Sequence, residues 1–559
     1  MASHNPADTK KYSTYPLKNY FSPLNHADIE NTEHDNGNGN ASTSNAEDLE
    51  ESPYSLAKEK ELFETDKLLI EGIPINTSEE CLKRYIERIS GLAVKNITYS
   101  TECSYSGSAT EKSHSSTAGK TDDVQWMKRS KKHRSKLAEL VDLLKTDPSK
   151  PKRIGIYRVC FEDKFSIGEG CDGTKVYVGL ADDGLEVAVK RMSHEKCQQM
   201  GINEKKILNC PNVQNEKHIV NYRYCHVPNS ETAYLVLDLH EETLYNYVED
   251  PERPVEQLLK EGPSIIRQIL YGIKALHCCQ PEIILHRDLK PWNILVNVEG
   301  EMVLTDFGVS KTLQQDADTH KSEFTGTQGW TARESLPQND DEEDSQIEVR
   351  YKKESDIQVL GMICYYVLTK GKHPYGNTFF RNGKILIGDY NLRYLHDPCA
   401  TDLITWMLQH DPEKRPNVHE CLKHPYFQQA QENFNFVTYV GDEIEIKEND
   451  TKSVVVNKIN SLTAFQDWFS KIEDCVMKHM TAHRRKKKYT TNVVDLLRFF
   501  RNMATHWPGA KSLTPNVHTT VVTPKEYFEK KFPTLPVELH RIIRQDDDWK
   551  KRENLEKYF

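Results

Sequence analysis

The feature that most restricts the fold of this chain is a set of four motifs in a fixed order between residues 167 and 308. They are IGEGCDGTKVYVG (167–179), VAVK (187–190), HRDLKPWNIL (286–295) and DFG (306–308). In the first motif, Gly168, Gly170 and Gly173 let the backbone approach a phosphate where a side chain would collide. Each motif alone is weak evidence, because short patterns occur by chance. Their joint order and spacing leave little room for chance.

The first two motifs predict a nucleotide cleft. Ile167 opens the glycine-rich loop, and Lys190 on a strand would meet the α- and β-phosphates. Glu204 in INEKKIL would orient that lysine from a helix. In LVLDLHEETL (235–244), the backbone of Asp238 and His240 would contact adenine.

The last two motifs predict phosphoryl transfer. Asp288 would accept the proton of a substrate hydroxyl, and Lys290 would contact the transferred phosphoryl group. Asn293 and Asp306 would hold Mg²⁺. Together the four motifs indicate a bilobal α+β protein-kinase fold that uses ATP or ADP with Mg²⁺. A kinase fold without activity is the alternative, but every group that the chemistry needs is present.

The end of the activation segment departs from the usual A-P-E. In TGTQGWTARESL (325–336), Arg333 replaces the proline, while Glu334 remains and is expected to pair with Arg415 of DPEKRP. The departure leaves the recognition of peptide substrates open but does not affect ATP binding.

The composition of the chain limits the other classes of protein to which it could belong. The chain of 559 residues has room for two or three domains, and its net charge of −10 excludes a generally basic nucleic-acid coat. The 13 cysteines include no CxxC pair, which favours reduced thiols. There is no N-terminal apolar signal, and the apolar run VLGMICYYVL (359–368) is too short for a bilayer, so it predicts a buried helix in a soluble protein.

Five regions are expected along the chain. They are a disordered acidic tail (1–64), a small α/β module that resembles part of an RNA-recognition motif (65–102), a Ser/Thr-rich and basic linker (103–158), the kinase domain (159–427) and a helical domain (428–559). The module lacks the aromatic residues that stack on RNA, which favours a degenerate or protein-binding role. The basic run KRSKKHRSK (128–136) fits either a nuclear signal or a solvated helix face.

The helical region contains stretches that resemble a known family. These are FQDWFSKIEDCVMKHM (465–480), with five apolar residues expected on one helical face, YTTNVVDLLRFFRNMATH (489–506) and EYFEKKFPTLP (526–536). Together with GKHPYGNTFFRNGKILIGDYNLRYL (371–395), they resemble the kinase–endoribonucleases, namely the unfolded-protein-response sensor kinase/ribonuclease and RNase L. The resemblance implies an all-α ribonuclease (KEN) domain fused directly behind the kinase.

The chemistry of RNA cleavage needs a base for the 2′-hydroxyl, an acid for the departing 5′-oxygen and donors for the phosphorane. Histidine suits the acid, which makes His506 the candidate, with Tyr489 on the 2′-hydroxyl side. Arg501 and Asn502 could bind a phosphate or a base edge. The family's motif residues map onto the same four positions. The basic run HRRKKKY (483–489) would attract RNA.

The leading hypothesis is a soluble, cytoplasmic or nuclear kinase–endoribonuclease. Nucleotide binding, with or without autophosphorylation in trans, would favour a homodimer or higher oligomer that cleaves RNA without a metal ion. One alternative is a Ser/Thr kinase whose C-terminal domain only docks or dimerises. Another is a non-catalytic scaffold. Neither ankyrin repeats nor a transmembrane segment is visible in the sequence, so the N-terminal module is the expected receiver of the activating signal.

Overall fold

The structure is a computed structural model that describes residues 126–559, except for short stretches at 171–173, 193–194, 215, 230–231, 315–318, 324–325, 338–347, 483–487 and 508–514. The predicted acidic tail (1–64), the α/β module (65–102) and the first part of the predicted linker lie outside the described residues. In the described part of the chain, no helix is both long enough and apolar enough to cross a membrane.

The N-terminal lobe is built on one antiparallel sheet of seven strands in the order β1-β2-β4-β5-β7-β6, with β3 pairing with β4 as well. Its strands are rich in valine and tyrosine, which pack well on a pleated surface. Their bounds are β1 Lys152–Ile154, β2 Tyr157–Val159, β3 Ser166–Glu169, β4 Lys175–Ala181, β5 Glu186–Met192, β6 Tyr222–Asn229 and β7 Thr232–Asp238. Helix α2 (Glu195–Leu208) and the short α3 (Pro211–Gln214) connect β5 to β6.

The N-terminal lobe begins earlier in the chain than we predicted. Helix α1 (Arg134–Thr146) and strands β1 and β2 belong to it, although we interpreted 103–158 as a linker. Leu137, Leu140 and Leu144 are buried in one cluster with the sheet residues. Their spacing of three and four residues is the apolar stripe of a packed helix, which the surrounding lysines and arginines hid. Only the last three residues of the basic run 128–136 lie on this helix.

The C-terminal lobe is mainly helical. It surrounds α5 (Val255–His277) and α6 (Lys353–Leu368), and α6 confirms the predicted buried helix, since residues 359–368 are all buried. The remaining helices are α4 Leu244–Glu249, α7 Arg381–Ile387, α8 Pro398–Met407 and α9 Val418–Lys423. Short strands β8 Glu242–Thr243, β10 Ile294–Val296 and β11 Met302–Leu304 form one small sheet, β9 Glu282–Leu285 pairs with β12 Lys311–Gln314, and β13 His320–Glu323 pairs with β14 Glu348–Tyr351.

The C-terminal domain is helical, as predicted. Its helices are α10 Ala430–Asp442, α11 Ile444–Glu448, α12 Val454–Asn460, α13 Trp468–Lys471, α14 Asp474–Thr481, α15 Val493–His506, α16 Pro515–Thr520, α17 Pro524–Lys531, α18 Leu535–Ile543 and α19 Asp547–Lys550. Helix α15 supplies much of the core, including Phe499 and Phe500. Gly441 of α10 lets the two helices approach, because a Cβ there would lie 2.7 Å from the Leu497 carbonyl oxygen.

The stretch 465–480 is not one continuous helix. Ile472 and Glu473 adopt extended backbone conformations between α13 and α14. Trp468, Ile472 and Val476 are nevertheless buried in the same core. Phe469 and Met480, the other two apolar residues of the predicted face, are partly buried against it. The apolar spacing therefore identified the side chains that pack on the core but not the break in the backbone.

Asp402 of α8 joins the two domains. Its buried carboxylate accepts hydrogen bonds from Arg541 Nε at 2.6 Å and from Arg544, whose two terminal nitrogens lie 2.5 and 3.2 Å from its oxygens. His424 Nε2 lies 3.0 Å from the same carboxylate. Burial alone would raise the pKa of Asp402, but His424 and Arg544 outweigh it, and the pKa lies below its usual range. The junction is thus held by a buried ionic cluster between α8 and α18.

We expect Asp402→Asn to destabilise the protein by about 3–5 kcal/mol at pH 7, because the largely buried Arg544 and the more exposed Arg541 would both lose their counter-charge. Because the pKa of Asp402 is lowered, its ionised carboxylate adds its full contribution to the free energy of unfolding above the pKa of an unfolded carboxylate, about 4. That contribution is lost as the pH falls through the folded-state pKa. Urea unfolding at pH 7 and at pH 3 measures both effects. The control is Glu538→Gln, since Glu538 is a more exposed partner of Arg541 and should cost under about 1 kcal/mol. Equal urea midpoints for Asp402→Asn and wild type at pH 7 would contradict this account.

Candidate functional site

Lys190 lies between two carboxylates at the back of the cleft. Its Nζ is 3.0 Å from Glu204 Oε2 on α2 and 2.8 Å from Asp306 Oδ1. Burial alone would lower the pKa of Lys190, but the charges of Asp306 and Glu204 outweigh it and raise the pKa, so the lysine stays cationic. Asp306 has a φ of 66°, a left-handed conformation that non-glycine residues seldom adopt and that is often found at functional sites. The structure thus brings together three residues that the motifs predicted.

Asp288 is the centre of a second polar network. Its Oδ2 accepts hydrogen bonds from Lys290 Nζ at 2.6 Å and Asn293 Nδ2 at 2.9 Å. Its Oδ1 accepts one from Thr327 Oγ1 at 2.8 Å, and Thr327 Oγ1 in turn lies 2.8 Å from Lys290 Nζ. We did not predict the role of Thr327, although it lies in the segment TGTQGW that follows the activation loop. These contacts orient a carboxylate beside a cation, as proton acceptance and phosphoryl contact require.

The residues predicted to bind Mg²⁺ have suitable donor atoms. Asn293 uses its amide nitrogen on Asp288, both at the carboxylate and at the backbone carbonyl 2.8 Å away. Its amide oxygen therefore remains a possible ligand. Asp306 adds a carboxylate, and magnesium prefers such oxygen ligands. The donor set fits the ion.

The glycine-rich loop and the connection between the lobes complete the cleft. Ile167, Gly168 and Gly170 lie on or directly after β3, and the Gly170 amide donates to the Thr174 carbonyl at 2.8 Å. A Cβ at Gly170 would approach the Thr174 side chain to 3.3 Å, so a larger residue would crowd the loop. Gly173 lies outside the described residues.

The connection after β7 carries the two predicted adenine contacts. Asp238 pairs its carboxylate with Arg223. Among the described residues, none hydrogen-bonds the His240 amide N–H, which leaves that donor available for a base. Burial lowers the pKa of the His240 side chain to about 4, so the imidazole is neutral.

The predicted ion pair at the end of the activation segment is confirmed. Arg415 reaches Glu334 through both terminal nitrogens, at 2.8 and 3.0 Å. Both side chains are buried. The loss of proline at Arg333 therefore leaves the anchor of the segment intact. The DFG motif at the start of the segment is supported by Asn203 of α2, which we did not predict, because its amide donates to the carbonyls of Phe307, Gly308 and Ser310.

A separate polar cluster lies in the C-terminal domain. Asn502 Nδ2 donates to the Tyr489 hydroxyl at 2.8 Å, and both residues are buried. The Tyr489 ring packs edge-on against Trp468 and Phe499, with centroid distances of 6.0 and 5.5 Å. The hydroxyl is therefore fixed in position by ring packing and by one amide.

Asp495, which sequence reasoning missed, supports the loop beside Tyr489. Its Oδ2 accepts hydrogen bonds from the backbone nitrogen and the hydroxyl of Thr490, at 2.6 and 2.7 Å. Its other oxygen pairs with Arg498 on the same helix. The signal available in the sequence was an acidic residue in the first turn of an amphipathic helix, which usually indicates only a favourable helix start.

Arg501 and His506 lie further along α15. Arg501 Nε is 3.7 Å from Asp442 Oδ1, too far for a hydrogen bond, so the guanidinium is loosely held. His506 is the last residue of the helix and is exposed. It follows Asn502 by four residues, and such positions lie on the same side of a helix. Most of the basic run at 483–489 lies outside the described residues.

Comparisons with known protein families divide the chain between residues 427 and 433. The protein kinase domain matches residues 161–427, and the ribonuclease 2-5A domain matches residues 433–559. The boundary coincides with the short connection between the last kinase residues and α10.

Relatives from distant organisms carry both activities in their names. The serine/threonine-protein kinase/endoribonuclease ire-1 of Caenorhabditis elegans is 33% identical over 67% of this chain and 38% of its own length. The IRE1 protein of rice (Oryza sativa subsp. japonica) is 30% identical over 81% of this chain and 49% of its own length, and the human IRE2 protein is 31% identical over 73% and 43%. The matched region thus spans less than half the length of each relative. The chain thus matches a protein kinase domain followed directly by a ribonuclease 2-5A domain, and it is similar to these kinase/endoribonucleases over two thirds or more of its own length.

Proposed function

We propose that the protein is a nucleotide-regulated endoribonuclease whose kinase domain binds ATP or ADP with Mg²⁺. The observation that carries the proposal is the pairing of Tyr489 with Asn502 at 2.8 Å, beside a helix that also bears Arg501 and His506. A domain that only docks partners needs no such cluster. The names of the relatives, each a kinase and endoribonuclease, support the same assignment.

In the kinase domain, Lys190 would hold the nucleotide phosphates, since it is kept charged between two carboxylates. Asp288 would accept the proton of a serine or threonine hydroxyl, and Lys290 would contact the transferred phosphoryl group. Asn293 and Asp306 would hold the magnesium ion, which neutralises the phosphate charge when bound. We infer that the acceptor is a second copy of the chain, phosphorylated in trans in the activation segment.

In the C-terminal domain, RNA cleavage would proceed without a metal ion bound at the site. Tyr489 would act on the 2′-hydroxyl side, with its orientation fixed by Asn502. Arg501 would neutralise the phosphate, since its guanidinium has no close hydrogen-bond partner at Nε among the described residues. His506 would protonate the departing 5′-oxygen, and its exposed position at the helix end leaves room for a polymer such as RNA.

Regulation would pass through association of two copies. Occupancy of the cleft would favour a dimer or a higher oligomer in which paired C-terminal domains bind RNA. The buried cluster around Asp402 would transmit the change, because it fixes α18 to the kinase domain. None of the nine cysteines whose side chains the structure describes forms a disulfide, which favours a reducing compartment, and we propose the cytoplasm or the nucleus.

The test is cleavage of a labelled stem-loop RNA by the purified full chain with Mg-ADP. We expect products with a 2′,3′-cyclic phosphate and a 5′-hydroxyl. Cleavage by chemically cross-linked dimer should persist in EDTA, because the four cluster residues include no carboxylate ligand for a metal pair. Strict Mg²⁺ dependence of the cross-linked enzyme would contradict the metal-free mechanism. Intact RNA in the presence of bound ADP would instead support a kinase whose C-terminal domain only docks or dimerises.

A further inference from the structure

The segment from Trp126 to Lys136, which we name the hinge strap, runs along the connection between the two kinase lobes. At its start, Trp126 Nε1 and the Ser130 backbone nitrogen donate to the two carboxylate oxygens of Glu186, at 2.5 and 2.6 Å. Glu186 is the first residue of β5, the strand that carries Lys190, and it is buried. The strap is therefore anchored to the N-terminal lobe by hydrogen bonds shielded from water.

The second anchor of the hinge strap is the connection between the two kinase lobes. The backbone nitrogens of Lys131 and Lys132 donate to the two oxygens of Glu241, at 3.0 and 2.6 Å. His133 Nε2 donates to the carbonyl of His240 at 3.0 Å. Glu241 also donates its own backbone N–H to Val296 of β10, at 2.8 Å. A single hinge residue thus ties the strap to the C-terminal lobe.

The side chains of the strap add a third link. Arg129 lies 2.9 Å from Glu299, which follows β10 in the C-terminal lobe. Lys132 Nζ lies 2.7 Å from Glu242. Such exposed pairs contribute little on their own, about 0–1 kcal/mol each. The strap nevertheless places positive charge against carboxylates of the hinge and of the C-terminal lobe.

We propose that the hinge strap positions the two lobes for nucleotide binding, with Glu186 and Glu241 as its anchors. The inference rests on the proposed nucleotide binding but not on RNA cleavage. Adenine would bind to the backbone of His240, whose carbonyl accepts a hydrogen bond from His133. Strand β5 carries both Glu186 and Lys190, the lysine that would bind the phosphates. A strap that is hydrogen-bonded both to β5 and to the connection between the lobes restricts how the lobes open.

Thermodynamic reciprocity gives a direct test. If an ordered strap favours nucleotide binding, bound nucleotide must favour the ordered strap by the same factor, typically about fivefold or more. Lys128, Arg129, Lys131 and Lys132 are exposed trypsin sites, and the last two have their backbone nitrogens hydrogen-bonded. We expect saturating ADP to slow tryptic cleavage between residues 128 and 134 at least about fivefold, as measured by mass spectrometry of fragments that begin in this range.

Variants of the anchor residues test whether loss of the ordered strap weakens ADP binding. Glu241→Ala removes both acceptors for the strap and should weaken ADP binding about fivefold or more and speed cleavage at these sites, as measured by calorimetry and proteolysis. Trp126→Ala, at the opposite anchor, should act in the same direction and replaces Glu241→Ala if that variant does not fold. The matched control is Glu242→Ala, which loses only a surface ion pair and should behave as wild type.

The outcomes separate the two proposals. If wild-type protein binds no ADP at all, nucleotide binding fails, and the strap's role fails with it. If ADP binds but leaves strap cleavage unchanged, or if Glu241→Ala and Trp126→Ala bind ADP as wild type does, the strap inference alone is overturned.

Discussion

His506→Ala should lower the rate of RNA cleavage by a factor of about 10²–10⁴, the usual contribution of general-acid catalysis. The imidazole lies at the exposed end of α15 and would reach the 5′-oxygen that departs as the chain breaks. Because the side chain is exposed, its truncation should change the free energy of unfolding by no more than about 0.5 kcal/mol. The measurement is the initial rate on a labelled stem-loop at saturating ADP.

The control for His506→Ala is Thr505→Ala, in the same helical turn and also exposed. It should cut RNA at the wild-type rate. ADP binding and the sedimentation coefficient of both variants should match those of wild type. Wild-type cleavage by His506→Ala would show that the acid is another group.

Tyr489→Phe should cause a second loss of similar size, about 10²–10⁴, if its hydroxyl takes part in proton transfer. The substitution keeps the ring that packs on Trp468 and Phe499, so the core should remain intact. What it removes is the hydroxyl held 2.8 Å from the Asn502 amide. Cleavage is measured as a full pH–rate profile, since loss of a proton-transferring group changes the shape of the profile as well as its height.

Tyr527→Phe provides the matched control. Tyr527 is a buried tyrosine of the same domain, and its hydroxyl hydrogen-bonds Glu473 away from the cluster. Its removal should cost about 1 kcal/mol of stability but leave cleavage unchanged. If both tyrosine variants lost cleavage equally, the effect would be structural, and the assignment of Tyr489 would be wrong.

Which side chains meet in the kinase cleft could be predicted because they lie in short motifs. Lys190, Glu204 and Asp306 come from separate stretches of the sequence, and in the structure Lys190 Nζ lies within 3.0 Å of both carboxylates. The pair between Glu334 and Arg415 was predicted in the same way, despite the missing proline. The proximity of these side chains could be predicted because one chemical task fixes both the residue types and their order.

The remaining features depend on contacts between distant or atypical segments. Helix α1 was taken for linker, since the basic run that leads into it hid the leucines that pack on the sheet. Ile472 and Glu473 interrupt a helix without changing the apolar spacing, which records the buried face and not the continuity of the backbone. Thr327 joins the Asp288 network from 39 residues away, and no local pattern identifies such a contact.

Control of the nuclease by the kinase cleft is the central claim of this account. The shortness of the connection after residue 427 and the buried cluster at Asp402 leave the two domains little freedom to move independently. The most direct measurement is the initial RNA cleavage rate of Asp288→Ala protein against ADP concentration, with the sedimentation coefficient followed in parallel. ADP fills the cleft but donates no phosphoryl group. We expect the rate to rise about fivefold or more, in step with dimer formation, and Lys190→Ala to need more ADP for the same effect. A rate that stays flat while the protein binds ADP would show that the two active sites are uncoupled.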